Sequence, residues 1–401
     1  MVTGKRNHTE ILSVKEVGLS KAKQIYQDRT RRAKELKTEG KKVIGYLDIY
    51  PVLEMLTALD LVPYRILGDM REPITKADTC LPTVVCPFVR SVMDLGLKGK
   101  YDFLDGVVMA HGCEVAEKTA HIWRIYLDPP YAHFIDTPHT THAAAQKQHK
   151  ALLRDFKKTL ESFTGEELAT ERLRKAIEVH NEQRTLVREL YGLRKPDPPL
   201  ISGVETLQVM VALSSLPVWE GNELLRQVIS EVKQRQDSPA KKPARLLVWG
   251  SIIDNIAIID MMESIGANVV MDDNVLGSRA YFPSVELTED PLDGLAYRYL
   301  VELKSPRTFR ETVLSETKRK DYMTDLENRF GYLKDYAREW KVNGIILQAL
   351  RYCDIHGYEV PGLKDYLGSI GLPSIYLEHD YSEAALAQLR TRVQAFLEVI
   401  G

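Results

Sequence analysis

Apolar residues along this chain fall into two alternating rhythms. VIGYL, from Val43 to Leu47, is a continuous apolar run of strand length, and PVLEMLTALDLVP behind it changes to helical spacing, with Pro51 where a helix would open. DGVVMA around Val107 and HFID around Phe134 are further runs of strand length. Strands of this kind alternating with helices predict a parallel sheet covered on both faces. Ahead of them, SKAKQIYQDRTRRAKELKTEG spaces its apolar residues helically among Lys, Arg and Gln and stops at Gly40, which predicts a surface helix.

From Thr141 to about Tyr191 the rhythm is helical throughout. Thr164 and Glu167 in TGEE stand at capping-box spacing, and Leu173, Ile177, Leu186 and Leu190 form an apolar stripe. LRKPDPPLISG interrupts the pattern, and a second helical block ends in KQRQDSPAKKPAR, the best linker candidate in the chain. LLVWGSIIDNIAIIDMMESIGANVVMDD then reads as a strand from Leu246 to Trp249, a helix from Asn255 to Ser264 and a strand from Asn268 to Met271. GIILQAL near Ile346 and PSIYLEHD near Tyr376 repeat that unit. The expected fold is α/β, with two doubly wound, Rossmann- or flavodoxin-like parallel-sheet domains and a helical insertion, divided as 1–140, 141–240 and 241–401. Two such halves suggest a duplication, although no residue-level repeat proves it.

Composition narrows the function classes. The 401 residues exceed the roughly 250–300 at which one hydrophobic core stops growing, in keeping with more than one domain. With 54 Lys and Arg against 56 Asp and Glu, the chain has no global pull toward nucleic acid or a membrane surface. The opening MVTGKRNHTEILSVKEV has no apolar stretch of the signal-peptide kind, and no apolar run reaches a membrane-spanning length, so a cytoplasmic protein is expected. The turn after the Leu246 strand is GSIIDN, with one glycine where a dinucleotide fingerprint needs three, and GxxxxGK[ST] does not occur. Neither a bound NAD nor ATP hydrolysis by this chain is expected.

Four cysteines in so long a chain are too few for a disulfide framework. Cys86 precedes Pro87 and a predicted helix start, Cys113 follows the VVMAHG strand end, and Cys353 follows GIILQALRY. Ligands in open α/β sheets gather beyond the carboxyl ends of strands, so these loops can aim three thiolates at one centre. Three thiolates suit a [4Fe–4S] cluster with one iron unclaimed by protein, zinc completed by His111 or Asp354, or no metal at all if the thiols are buried packing groups. Spacing alone leaves all three open. His139 and His142 in HTTH, with His149, lack a Cys or HExxH context and read as surface or helix-start histidines; Asp272 and Asp273 read as turn caps.

CPFVRS at Cys86, LDGVVMAHGCE ending past Cys113, GSIIDN, SIGANVVMDDNVLGSRAYF, NGIILQALRYCD, LPSIYLEHDYS, QLRTRVQAFLE and the helix around AIEVHNEQR together resemble the 2-hydroxyacyl-CoA dehydratase family. That family includes the substrate-reducing subunits of ATP-dependent benzoyl-CoA reductase. The resemblance implies two flavodoxin-like domains with helical additions and a [4Fe–4S] cluster on Cys86, Cys113 and Cys353. Cys80 is either a bystander or an alternative to Cys86. It also implies a homologous second catalytic subunit, a separate ATP-hydrolysing iron–sulfur activator, ferredoxin or flavodoxin as upstream donor, and an acyl-CoA substrate, with no nucleic acid or membrane partner.

The implied chemistry is radical reduction of an aromatic acyl-CoA. The alternatives are radical elimination of water from an (R)-2-hydroxyacyl-CoA, or a subunit that only relays electrons or shapes its neighbour's pocket. Glu54 in PVLEML matches a glutamate the family keeps near the cluster and is the first acid/base candidate; a first-turn carboxylate favoured by the helix dipole is the plainer role. His111, where the family more often has a small residue, is the second catalytic candidate, as proton donor or as a hydrogen bond to a cluster sulfur. Arg90 and Arg279 pair either with coenzyme A phosphates or with neighbouring carboxylates.

Overall fold

The computed structural model describes residues 17–310 and 321–401. Of the opening stretch tested for a signal peptide, only Val17 lies within them. The first half runs α1 (Gly18–Gln27), α2 (Thr30–Thr38), β1 (Val43–Tyr46), α3 (Leu53–Ala58), β2 (Val62–Arg65), α4 (Pro87–Leu97), β3 (Gly106–Ala110), α5 (Glu114–Leu127) and β4 (Ala132–Ile135). Four helices come next: α6 (Ala143–Thr164), α7 (Thr170–Gly192), α8 (Gly203–Leu213) and α9 (Val218–Gln234). The second half runs β5 (Ala244–Gly250), α10 (Ile256–Ser264), β6 (Ala267–Asp273), α11 (Ser278–Tyr281), α12 (Pro291–Tyr297), α13 (Tyr322–Glu339), β7 (Gly344–Leu350), α14 (Asp354–Gly357), α15 (Val360–Ser369), β8 (Ser374–His379) and α16 (Leu386–Ile400). Among the described residues no helix is long and apolar enough to cross a membrane.

Both sheets are wholly parallel and have the same order, β2-β1-β3-β4 and β6-β5-β7-β8. The α/β class and the pair of parallel sheets are those expected. The order reverses direction after β1 in one sheet and after β5 in the other, which opens a crevice beyond the strand ends at each switch point. β5, β6 and β7 are buried along their whole length, the reason they carry the consecutive apolar runs LLVWG, VVM and GIIL, while β4 and β8 at the sheet edges are partly exposed. Pro63 sits in edge strand β2, where its missing N–H costs no ladder bond on the open side. One hydrophobic cluster runs from Val92 and Met109 beside the first sheet to Val248 and Ile346 in the second, so the two halves share packing.

Two local expectations fail for identifiable reasons. The N-terminal segment is two helices, because the chain leaves helical geometry at Asp28, whose carboxylate accepts from the Thr30 hydroxyl at 3.1 Å. Thr164 does not open a helix: α6 ends there, with Gly165 in the left-handed conformation (φ 75°) that glycine adopts without a Cβ penalty. The reciprocal capping box is at the start of α8, between Ser202 and Glu205.

Candidate functional site

Three of the four thiols converge. Cys86, Cys113 and Cys353 line one cavity of about 90 Å³ together with Leu47, Asp48, Arg65, Phe88, Ile252, Arg279 and His356. The contributing loops leave the ends of β1, β2 and β3 in one sheet and of β5, β6 and β7 in the other, around the two switch points. Each thiol occupies the N-cap position of a helix: Cys86 of α4, Cys113 of α5 and Cys353 of α14. The Ala116 N–H donates to Cys113 Sγ at 3.3 Å, and the backbone N–H groups of Phe88 and Val89 face Cys86. Pro87 at the first position of α4 supplies a preset φ where no intrahelical donor is needed.

As free thiols these groups are held protonated. Burial pushes Cys113 up to about 12, with the nearby Cys86 and Asp48 adding to the shift; burial also raises Cys86, and burial with the neighbouring thiols raises Cys353. A soft, multivalent cation is the ligand that reverses this, since it replaces the thiol protons and offsets the mutual repulsion of the sulfurs. The N-termini of α4 and α5 add favourable partial positive charge. The donor set therefore fits an iron–sulfur cluster or another thiophilic metal. Cys80 is elsewhere: it ends the short turn Ala77–Thr79, its Sγ donates to the Ala77 carbonyl at 3.4 Å, and it does not line the cavity.

A second, smaller chamber of about 50 Å³ adjoins the first and shares Asp48, Arg65 and Val275 with it. Arg184 and Arg298 also line it, with His180, Tyr281 and Tyr299. Behind this lining lies Glu54, fully buried, accepting from an Arg184 guanidinium N–H and from the Tyr299 hydroxyl at 2.8 Å. Burial alone would raise its carboxyl; Arg184, His180 and Arg298 outweigh burial and hold it at about 2. Burial and the adjacent Arg184 charge pull Arg298 down to about 10.

The family model for the 2-hydroxyglutaryl-CoA dehydratase D-component matches residues 49–400. The chain belongs to that family. Among curated relatives, a benzoyl-CoA reductase subunit of Thauera aromatica is 25% identical over 95% of this chain and 97% of its own. The (R)-phenyllactyl-CoA dehydratase beta subunit of Clostridium sporogenes is 25% identical over 92% of this chain and 94% of its own. The beta subunit of (R)-2-hydroxyglutaryl-CoA dehydratase of Acidaminococcus fermentans is 24% identical over 90% and 93%.

Within this dehydratase D-component fold the remaining sequence candidates separate. His111 lies just past the end of β3, outside the thiol cavity: its Nδ1 is 2.8 Å from Asp136 Oδ1 and its Nε2 3.6 Å from Glu117 Oε2. Donor atoms of His111, Glu114 and Glu117 lie within 4.8 Å of one another, but Glu117 also accepts from Lys118, and both glutamates occupy the first turn of α5, where the dipole favours them. Arg90 pairs with Asp78, and Arg279 with Asp273 at 3.0 Å, so both take the carboxylate option. Asp272 accepts from Tyr191, Arg194, Asn274 and the Ser278 N–H, a buried network wider than a turn cap. His142 caps α6 by accepting from the Ala145 N–H.

Sequence reasoning missed Asp48, Arg65, His180, Arg184, Arg298 and His356. A signal existed for two of them. His180 and Arg184 fall on the same α7 face as Leu173, Ile177 and Val187, where polar residues interrupt an apolar stripe. Arg298 and Tyr299 open a π-helical turn, an irregularity with no sequence mark.

Proposed function

We propose that this chain is an iron–sulfur subunit of an ATP-dependent acyl-CoA-reducing complex, benzoyl-CoA reductase first and (R)-2-hydroxyacyl-CoA dehydratase second. The observation that carries the reading is the convergence of Cys86, Cys113 and Cys353 on one cavity between the switch points of both sheets. A [4Fe–4S] cluster held by these three thiolates supplies low-potential one-electron chemistry with one iron open to a ligand. Leu47, Phe88, Val89, Ile252, Val275 and Leu350 surround the thiols with hydrocarbon and exclude water.

The adjoining chamber supports an acyl-CoA substrate. Arg65, Arg184 and Arg298 outnumber the Glu54 and Asp48 carboxylates by three to two, so the chamber favours negative charge arriving on a bound acyl group. Arg65 lines both cavities, is 4% exposed and leaves its Nε without a partner, a donor placed between the thiols and the chamber. Glu54, ionised and paired, orients Arg184 and Tyr299. In that state it is a proton acceptor and not a donor. His111, hydrogen-bonded to Asp136 outside the thiol cavity, fits proton delivery from the surface better than contact with a cluster sulfur.

The three relatives are each described as subunits, which supports a homologous partner chain. The reading includes a separate ATP-hydrolysing activator chain, fed by ferredoxin or flavodoxin, in keeping with a sequence that carries no P-loop motif. The test is iron and acid-labile sulfide on anaerobically purified chain and its cysteine variants. About four irons per chain are expected, lost in Cys86→Ala, Cys113→Ala and Cys353→Ala and kept in Cys80→Ala; iron indifferent to the first three would refute the cluster site. With activator and partner present, turnover of benzoyl-CoA but not of a 2-hydroxyacyl-CoA establishes the reductase, the converse the dehydratase, and neither, with iron intact, a relay subunit.

A further inference from the structure

Cys353 is held by a chain of side chains that reaches back into the second sheet. Tyr332 donates its hydroxyl to Asp273 Oδ2 at 2.7 Å; Arg279 Nε donates to Asp273 Oδ1 at 3.0 Å; Arg279 Nη1 lies 3.1 Å from His356 Nε2; and His356 Nδ1 lies 3.3 Å from Cys353 Sγ. Asp273, Arg279 and His356 are all nearly fully buried, so water does not compete for these contacts.

The directions of the bonds on either side of Arg279 are fixed by the arginine. A guanidinium has only donors, so Arg279 must donate to His356 Nε2, and Nε2 must present a lone pair. A neutral imidazole with a lone pair on Nε2 carries its proton on Nδ1. That proton points at Cys353 Sγ. The Gly250 carbonyl also faces the ring; an acceptor itself, it cannot take Arg279's place as donor.

We infer that His356 is a positioning residue that donates an Nδ1–H hydrogen bond to the Cys353 thiolate and raises the reduction potential of the cluster held there, its tautomer set by the Asp273–Arg279 pair. The inference rests on the reading of Cys353 as a cluster ligand. A hydrogen bond to a ligating sulfur withdraws charge from it and stabilises the reduced, more negative cluster, so losing the bond lowers the potential. Phe at this position keeps a ring against Trp249, 5.2 Å away between ring centroids, and removes the donor. Gln restores an N–H.

The full chain is reconstituted anaerobically with iron and sulfide and assayed for both. Cys353→Ala that keeps its full iron would overturn the ligand reading itself, whatever His356 does. With that control passed, EPR-monitored redox titration is expected to place His356→Phe at a more negative midpoint than wild type at equal iron content, with His356→Gln moving back toward wild type. Equal midpoints in wild type and His356→Phe would overturn the inference. Should His356→Phe not hold a cluster, wild-type protein labelled with 15N-histidine decides the matter: a weak 15N coupling to the reduced cluster is expected in ENDOR spectra, and its absence overturns the inference.

Discussion

Replacing Glu54 by Gln keeps the side chain's shape and removes its charge, so it isolates what the buried carboxylate contributes. Glu54 is 0% exposed, accepts from Arg184 and Tyr299, and has Arg298 and His180 beside it. Two routes give the size of the effect. Holding the carboxyl at about 2 against an ordinary 4.5 corresponds, at roughly 1.4 kcal/mol per unit, to about 3 kcal/mol of stability. Removing one partner of a buried ion pair costs about 3–5 kcal/mol, because the other charge stays buried and uncompensated. The routes agree, and about 3 kcal/mol is a shift on the order of 1 M in a urea midpoint.

The pH dependence has a definite sign. The folded carboxyl lies below its unfolded value, so its stabilisation is fully present above about pH 4.5 and is lost as pH falls toward about 2. Urea unfolding of wild type and Glu54→Gln, tracked by tryptophan fluorescence from about pH 7 to about pH 3, should show a constant gap down to about pH 5 and a shrinking one at lower pH. Glu54→Gln with Arg184→Met should cost less than the two single changes added together. Coincident midpoints at about pH 7, or a gap that persists unchanged at about pH 3, would refute the claim that Glu54 is an ionised, paired carboxylate.

Gly112→Ala would put a Cβ 1.4 Å from Asp48 Oδ2, at the residue that precedes Cys113. Displacing Asp48 from the thiol cavity should cost about 1–3 kcal/mol and lower reconstituted iron, and an alanine variant with wild-type iron and urea midpoint would show that Asp48 moves freely. Arg245→Met would strip donors from the carbonyls of Arg194, Lys195, Pro196 and Trp340, which Arg245 now serves at 2.9–3.2 Å. A loss on the order of 3 kcal/mol in urea unfolding is expected, with reconstituted iron unchanged because none of these groups lines the thiol cavity.

The sheets were legible because parallel strands buried on both faces carry consecutive apolar residues, as GVVMA in β3 and GIIL in β7 do. The break at Asp28 was not, since helical spacing continues across it and only the local side-chain bond to Thr30 marks the stop. Thr164 misled because capping-box spacing occurs wherever Thr precedes Glu by three, and Gly165 in the left-handed region outranks it. Cys113 and Cys353 could be grouped by their places just past strand ends, and Cys86 by the helix start at Pro87; the charge chamber could not be read this way. Glu54 and Arg184 are 130 residues apart, and nothing short of the α3–α7 packing says that they meet.

The repeated sheet order turns Cys113 and Cys353 into counterparts. Each lies three residues beyond the third strand of its sheet, each caps the next helix, and each is succeeded by an acidic first-turn residue, Glu114 or Asp354. The helices differ: α5 has 14 residues and α14 has 4, too short for a macrodipole of comparable strength. Three residues on, the first half places Ala116, whose backbone N–H donates to Cys113, and the second places His356, whose ring adds a donor to Cys353. Between the second and third strands the first half supplies the Cys86 thiol, whereas the second supplies Arg279, which sets the tautomer of that ring. The half with the shorter helix is thus the half with an arginine-directed imidazole: at Cys353 the ring joins the His356 backbone N–H, whereas Cys113 has the backbone N–H groups of Val115 and Ala116.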